Sequence, residues 1–225
     1  MNATRLDYLQ AMGIEAWQPK HIAISPCAEI SHAKSAASPA ETISLNALRA
    51  AVASCMSCEL HKTRTQTVFG VGNEEAKLMI IGEAPGFHED QRGEPFVGRA
   101  GQLLNAMLES IGLDRKSVFI ANILKCRPPG NRDPLVAEVN ECTPFLQQQI
   151  ALIKPKLLLA VGRIAAHYLL NTKTSLVQLR GKHHQFGATP LIVTYHPAYL
   201  LRNPIDKGKA FQDLLLTQQT LQTLS

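Results

Sequence analysis

Four nearly continuous apolar runs, separated by stretches with helical periodicity, dominate most of the chain. They cover residues 77–83, 117–126, 156–162 and 190–197. Apolar strands that alternate with helices are typical of a parallel sheet buried on both faces. The pattern therefore predicts an α/β fold: a three-layer sandwich with a central, mainly parallel four-stranded sheet flanked by helices.

Helices are predicted before and between these runs. Thr42 or Ser44 can cap the first helix, which reads LNALRAAVAS. The other predicted helices cover about residues 99–111, 134–153, 163–171 and 207–221. Pro144 is expected to split or kink the helix in which it lies.

The N-terminal part of the chain has a different composition. Residues 1–20 predict a short helix or peptide, and residues 21–41, rich in Ser, Ala and Pro, predict a flexible tether. The folded domain is predicted over 42–225. Residues 4–18 have one apolar face and hold Trp17, the only tryptophan, which indicates a segment that binds a replication or repair protein.

That N-terminal pattern resembles the peptide by which the psi subunit of the bacterial replicase clamp loader binds its chi partner. The alternative is that this helix folds back onto its own domain. Deleting residues 1–41 distinguishes the two, since only the second predicts a large fall in melting temperature.

Net charge and hydropathy indicate which partners and which location to expect for this protein. The net charge is +5, and residues 43–225 alone carry +6, which suits an anionic partner such as nucleic acid. No apolar run approaches the roughly 18 residues of a membrane span, and no secretory signal is evident. We expect a cytoplasmic protein with no membrane association, and a monomer.

Polar residues follow three of the apolar runs. The first run ends in Glu83, the second carries Asn122 and the fourth ends in His196. Ligands of doubly wound sheets bind beyond the carboxyl ends of the strands. The loop after Glu83 is longer than a connection requires, so we interpret it as the wall of a ligand pocket.

Cysteine spacing suggests a metal site. Cys55 and Cys58 are three positions apart, and Cys126 and Cys142 follow later in the domain. Four thiolates can bind Zn²⁺ or a [4Fe–4S] cluster, and the spacing leaves both open, as well as four buried thiols without metal. Cys27, in the predicted tether, is interpreted as a spare thiol.

Five sequence blocks, together with the four cysteines, resemble the family-4 uracil-DNA glycosylases, the iron–sulfur branch of that superfamily. The blocks are GEAPG, ED, PFVGRAGQLL, ANILKCRPPGNRDP and TYHPAYLLRNP, within residues 43–215. The resemblance implies a DNA repair enzyme that flips uracil out of single- or double-stranded DNA and hydrolyses its N-glycosidic bond. It would leave an abasic site and carry a structural [4Fe–4S] cluster on Cys55, Cys58, Cys126 and Cys142.

The resemblance also implies roles for the pocket residues. Asn122 would donate to uracil O4 and accept from N3–H, which cytosine cannot match. Phe96 would stack on the flipped base, and His196 would donate to O2 as charge develops there. Some relatives carry an extra insertion with a histidine that traps the sugar covalently. The short segment after the second strand here has no histidine, so multiple turnover is expected. The expected enzyme is monofunctional and acts by water attack.

Glu83 is expected to orient water or to stabilise the cationic sugar, and these two roles stay open. The backbone of Ala84, Pro85 and Gly86 is expected to line the uracil site and to contribute N–H groups. Glu89 and Asp90 are interpreted as braces of the loop, with a share in the chemistry as the alternative.

DNA contacts are expected from the segments after the second and fourth strands. Leu200 would fill the gap left by the flipped base. Arg202, Lys125 and Arg127 would bind phosphates. Two other functions remain open: a non-catalytic DNA-binding or scaffold protein of the same fold, and a zinc hydrolase with Glu83 and His196 as ligands, for which a third ligand is missing.

Overall fold

The computed structural model describes residues 44–224, and its centre is a six-stranded sheet. The strands are β1 Val71–Gly72, β2 Leu78–Gly82, β3 Phe119–Asn122, β4 Leu157–Val161, β5 His183–Phe186 and β6 Thr189–Thr194. Their order across the sheet is β1-β3-β2-β4-β6-β5. The four inner strands are mutually parallel, so their carboxyl ends meet at one edge.

The predicted α/β sandwich is confirmed, but the sheet is two strands wider than the predicted four. β1 and β5 are added at the two edges, and both are antiparallel to their neighbours. β1 has only two residues, and β5 is the polar segment His183–Phe186, so neither has the apolar run by which the inner strands were found.

Helices cover both faces of the sheet. They are α1 Leu45–Ala53, α2 Phe87–Arg92, α3 Arg99–Glu109, α4 Val136–Ile153, α5 Arg163–Leu170, α6 Leu176–Leu179, α7 Pro197–Arg202 and α8 Lys207–Thr223. Three short 3₁₀ helices, Glu59–Lys62, Pro129–Asn131 and Pro204–Asp206, lie between them. Alternate residues of each inner strand point to opposite faces: α1, α4 and α5 pack on one face, and α3, α7 and α8 on the other.

Two local predictions have different outcomes. Ser44 caps α1 as expected, because its side chain accepts a hydrogen bond from the Ala47 N–H at 3.2 Å. Pro144 does not split its helix: α4 runs from Val136 to Ile153 with Pro144 inside it.

Several sequence predictions lie outside the described residues. These are the N-terminal helix over 1–20, the tether over 21–41 and the spare thiol Cys27. Within residues 44–224, no helix is both long and apolar enough to cross a bilayer.

Candidate active site

A cleft of about 1100 Å³ opens at the carboxyl ends of the inner strands. Its walls come from the ends of β2 and β3, the loop around α2, the segment after β3, and the start of α7. The lining side chains include Glu83, Ala84, Gly86, Glu89, Phe96, Asn122, Asn131, Asp133, His196, Tyr199 and Arg202. The topology thus brings together three polar residues that are far apart in sequence: Glu83, Asn122 and His196.

Asn122, the last residue of β3, reaches the cleft with an unsatisfied acceptor. The residue is 2% exposed, and its Oδ1 has no hydrogen-bond partner within residues 44–224. It lies opposite Gly82 of β2 in the parallel register. A Cβ at Gly82 would stand 2.4 Å from Oδ1 and 2.7 Å from Phe96 Cζ, so only glycine lets both side chains approach here. A buried, unpaired acceptor is costly and needs an explanation, such as a ligand that donates to it.

Phe96 is held against the cleft in a strained conformation. Its φ is 54°, which is unfavourable for a bulky side chain, and its residue is 7% exposed. Its ring stacks on that of His196, with centroids 5.6 Å apart and an interplanar angle of 29°. Gly101 of α3 packs so tightly that an added Cβ would stand 1.7 Å from the Phe96 carbonyl oxygen. Backbone strain kept by such close packing is typical of functional sites.

The hydrogen bonds of His196 define its tautomer. Its Nδ1 accepts from the Ala198 backbone N–H at 3.1 Å, and a backbone N–H can only donate. The proton of a neutral ring must therefore be on Nε2. Burial, with a smaller contribution from Arg202, lowers the pKa of His196 to about 4. At neutral pH the ring is thus an uncharged donor through Nε2.

Glu83 is a carboxylate with an unusual protonation equilibrium. Burial and the negative charge of Asp133 raise the pKa of Glu83 to about 7, against the opposing effect of Arg163. Arg163 Nη2 is also 3.1 Å from Asp133 Oδ2. A carboxyl group that titrates near neutrality in a cleft can act as a base or bind water at physiological pH.

The loop between β2 and α3 is braced by two carboxylates, as the sequence suggested. Asp90, 2% exposed, accepts from the Thr65 N–H with both oxygens, at 2.9 and 3.1 Å. Glu89 Oε1 accepts from the Val97 N–H at 3.0 Å, next to Phe96. These bonds fix the wall of the cleft.

A second, much smaller cavity of about 10 Å³ has four thiols in its lining. Cys55 and Cys58 follow α1, Cys126 follows β3, and Cys142 lies on α4. Arg64 Nη1 donates to Cys126 Sγ at 3.1 Å, and the Lys125 N–H donates to Cys142 Sγ at 3.2 Å.

The thiols of this cavity are poor candidates for covalent catalysis. Residues 44–224 contain no group of three or more His, Cys, Asp or Glu side chains that could hold a metal ion. Burial raises the pKa of the Cys126 thiol, and that of Cys142 to about 11, so neither thiol is a ready nucleophile. Four sulfurs line this space, and N–H donors are directed at two of them.

Comparison with known proteins identifies the family. Residues 69–218 match the family model described as the uracil DNA glycosylase superfamily. The chain belongs to the uracil-DNA glycosylase superfamily. The predicted resemblance is therefore confirmed for the superfamily, and relatives at 42–46% identity confirm it for the type-4 family.

Three relatives named type-4 uracil-DNA glycosylase show how far the similarity extends. The protein of Archaeoglobus fulgidus is 46% identical over 68% of this chain and 81% of its own length. That of Thermotoga maritima is 43% identical over 71% and 90%, respectively. That of Pyrobaculum aerophilum is 42% identical over 76% and 92%.

Two residues that were predicted to contact DNA, Lys125 and Leu200, are buried in this structure. Lys125 is 1% exposed, and its Nζ donates to the Asn122 carbonyl at 2.7 Å and to Gln149 Oε1 at 2.6 Å. It supports the strand end and does not reach a phosphate. Leu200 is also 1% exposed and packs in the core under α3 and α8, so it cannot enter DNA from this position.

Residues 84–86, which were predicted to line the uracil site, differ in their position relative to the cleft. Ala84 and Gly86 line the cleft, whereas Pro85 is buried, does not line it, and has no N–H to donate. Arg202 lines the cleft, and Arg127 lies over the exposed ring of Phe87 at 5.0 Å. Their roles as phosphate contacts stay predictions.

Three polar cleft residues were missed by the sequence analysis: Asn131, Asp133 and Tyr199. Asn131 has a φ of 54° and accepts from Arg127 Nε at 2.8 Å. The run GNRDP contains the signal, because turn-forming residues directly after a strand end lie at the ligand edge of a parallel sheet. The basic residues just before it, Lys125 and Arg127, drew attention to DNA instead.

Proposed function

We propose that this chain is a DNA repair glycosylase that flips uracil out of DNA and hydrolyses its N-glycosidic bond, leaving an abasic site. Membership of the superfamily gives the class of reaction, and the unpaired, buried Oδ1 of Asn122 is the observation that supports uracil as the base. The product would enter base excision repair.

Asn122 reads the edge of the base. Its Oδ1 accepts from uracil N3–H and its amide N–H donates to O4. Cytosine offers a bare N3 and an amino group at these positions, so both bonds would become mismatches in a buried site. Discrimination of this kind is strong because the polar groups of the site are left unpaired.

Phe96 and His196 complete the base pocket. The uracil ring stacks on Phe96, whose position is already fixed by close packing. His196 donates from Nε2 to uracil O2 and stabilises the negative charge that the departing base acquires. Because the imidazole is neutral, it contributes a hydrogen bond that strengthens in the transition state without giving up its proton.

Glu83 acts on the other side of the bond. Its carboxylate orients a water molecule towards C1′ and stabilises the positive charge of the sugar. The C1′–N1 electron pair leaves with uracil, the water oxygen bonds to C1′, and the water proton passes to Glu83. This role requires the ionised form, which predominates above about pH 7.

The four cysteines hold a [4Fe–4S] cluster with a structural role. Its ligands would come from the end of α1, the exit of β3 and α4, so the cluster would tie three segments together. Arg64 and the Lys125 N–H would donate to ligand sulfurs. The cavity is separate from the cleft in its lining residues, and none of the catalytic steps passes through it.

An oligonucleotide assay tests the proposal. The chain is incubated with strands that contain one uracil, one cytosine or one thymine, and alkali then cleaves any abasic site. We expect cleavage at uracil only, without added metal or nucleotide. Binding of DNA without cleavage by cluster-containing protein would instead indicate a non-catalytic DNA-binding protein.

A further inference from the structure

Ile205 stands out among the apolar side chains. It is 94% exposed, the largest exposed fraction among the large apolar side chains of residues 44–224. It lies in the short 3₁₀ helix Pro204–Asp206 that follows α7. An isoleucine so fully in water is a candidate for contact with a partner.

The tip that carries Ile205 is held in place by its neighbours. Tyr199 Oη donates to Asp206 Oδ2 at 2.7 Å, and Lys209 Nζ is 2.8 Å from Asp206 Oδ1. Asn203 Nδ2 donates to the Tyr199 carbonyl at 3.2 Å. Ile205 therefore projects from a turn that is fixed by hydrogen bonds. A side chain that inserts into a partner needs such a rigid support.

The position of the tip indicates which partner it meets. Tyr199, which braces it, lines the uracil cleft, and so does Arg202, three residues before Ile205. The flanking side chains Arg202, Lys207 and Lys209 are basic and exposed. An apolar tip that is surrounded by basic side chains and lies next to the cleft is complementary to DNA. The basic side chains can bind the phosphates, and the apolar side chain can contact the stacked bases between the two backbones.

We propose that Ile205 is the apolar wedge that enters the base stack of duplex DNA next to the extruded uracil. Leu200 cannot take this role without leaving the core, because it is 1% exposed. Ile205 needs no such rearrangement. Side chains of this type unstack base steps from the minor groove, and insertion would also fill the gap left by the flipped base. The inference rests on the proposed uracil excision.

The test compares duplex and single-stranded substrates. Single-turnover rates are measured for the wild type, Ile205→Ala and Ile205→Leu on uracil in a U·A duplex and in the single strand. We expect Ile205→Ala to lose about tenfold or more on the duplex and less than about twofold on the single strand, where no stack has to be opened. Ile205→Leu should stay close to the wild type. Val177→Ala, at another exposed apolar residue (67%), is the matched control.

A second measurement does not depend on cleavage. In a duplex with 2-aminopurine beside the uracil, binding of the wild type should raise the fluorescence as the step unstacks, and binding of Ile205→Ala should not. Equal losses on both substrates, or an unchanged duplex rate, would overturn the wedge. If the wild type unstacks the step but cleaves neither substrate, the proposed excision fails and the wedge stands.

Discussion

The uracil cleft and the cysteine cavity differ in whether their buried polar groups have hydrogen-bond partners. At the exit of β3, Asn122 leaves its Oδ1 without a partner within residues 44–224. Three residues later, the buried Lys125 has its Nζ paired with the Asn122 carbonyl and Gln149 Oε1. Two cysteine sulfurs of the cavity likewise accept hydrogen bonds. The cleft thus keeps an acceptor that a ligand can satisfy, whereas Lys125 and two of the cavity sulfurs already have partners.

The unsatisfied acceptor and the strained backbone of the cleft each cost an appreciable part of the free energy of folding. An unsatisfied buried acceptor costs about 1–3 kcal/mol, and a residue held in an unfavourable φ/ψ region costs a similar amount. The cleft carries both, in Asn122 and Phe96. Substitutions in the cleft should therefore reduce the rate and spare stability, and substitutions in the cavity should do the reverse.

The largest expected effect on the rate is that of Asn122→Ala. It removes both hydrogen bonds to uracil, and we expect the single-turnover rate to fall by roughly 10²–10³-fold, with a melting temperature that is unchanged or higher. Asn105→Ala is the matched control, because its Oδ1 is also buried without a partner in residues 44–224 but does not line the cleft. Similar losses for both variants would remove the distinction between the two asparagines.

His196→Ala should have the next largest effect. The bond from Nε2 strengthens as charge develops on O2, so the rate should fall about a hundredfold while affinity for uracil DNA changes little. The affinity is measured with a non-cleavable uracil analogue. A loss of affinity as large as the loss of rate would mean that His196 only holds the substrate.

Titration of Glu83 should change the rate by about tenfold per pH unit. Because the pKa of Glu83 is raised to about 7 and the carboxylate is the active form, the rate should rise with pH up to about 7 and then level off. His196, with a pKa of about 4, should add no second step between pH 5 and 9. Glu83→Gln should be slow and lack the slope. A flat profile for the wild type would contradict the assigned role.

Substitution in the cysteine cavity should affect the rate least and stability most. Cys142→Ala should bleach the brown colour of anaerobically purified protein and lower the melting temperature by about 10 °C. The folded fraction should keep most of its rate per molecule. Cys27→Ala, outside the proposed ligand set, should change neither. Colourless wild-type protein with stoichiometric zinc would contradict the cluster.

The sequence was sufficient for features that depend on patterns along the chain. Continuous apolar runs located the four inner strands, and parallel topology then placed Glu83, Asn122 and His196 at one edge. The Ser44 cap could be read in the same way, since a cap depends on residues only three positions apart.

Features that depend on contacts between distant segments could not be predicted from the sequence. Lys125 looked like a phosphate ligand because the pairing with Gln149, 24 residues later, is invisible in the sequence. Leu200 was predicted to enter DNA because its family-like motif does not show how α7 packs on the core. The positive φ of Phe96 results from the close approach of Gly101, and β5 lacked an apolar run.

The fixed position of Phe96 has a consequence for how the enzyme would search a genome. A pocket that is assembled before DNA binds needs no rearrangement to accept a base. The main free-energy barrier to base capture is then the energy needed to extrude the nucleotide from the DNA helix. That energy is lowest where pairing is already weak. Such an enzyme samples bases in order of how readily they leave the helix, and it should therefore reach uracil in mismatches, gaps and unwound strands first.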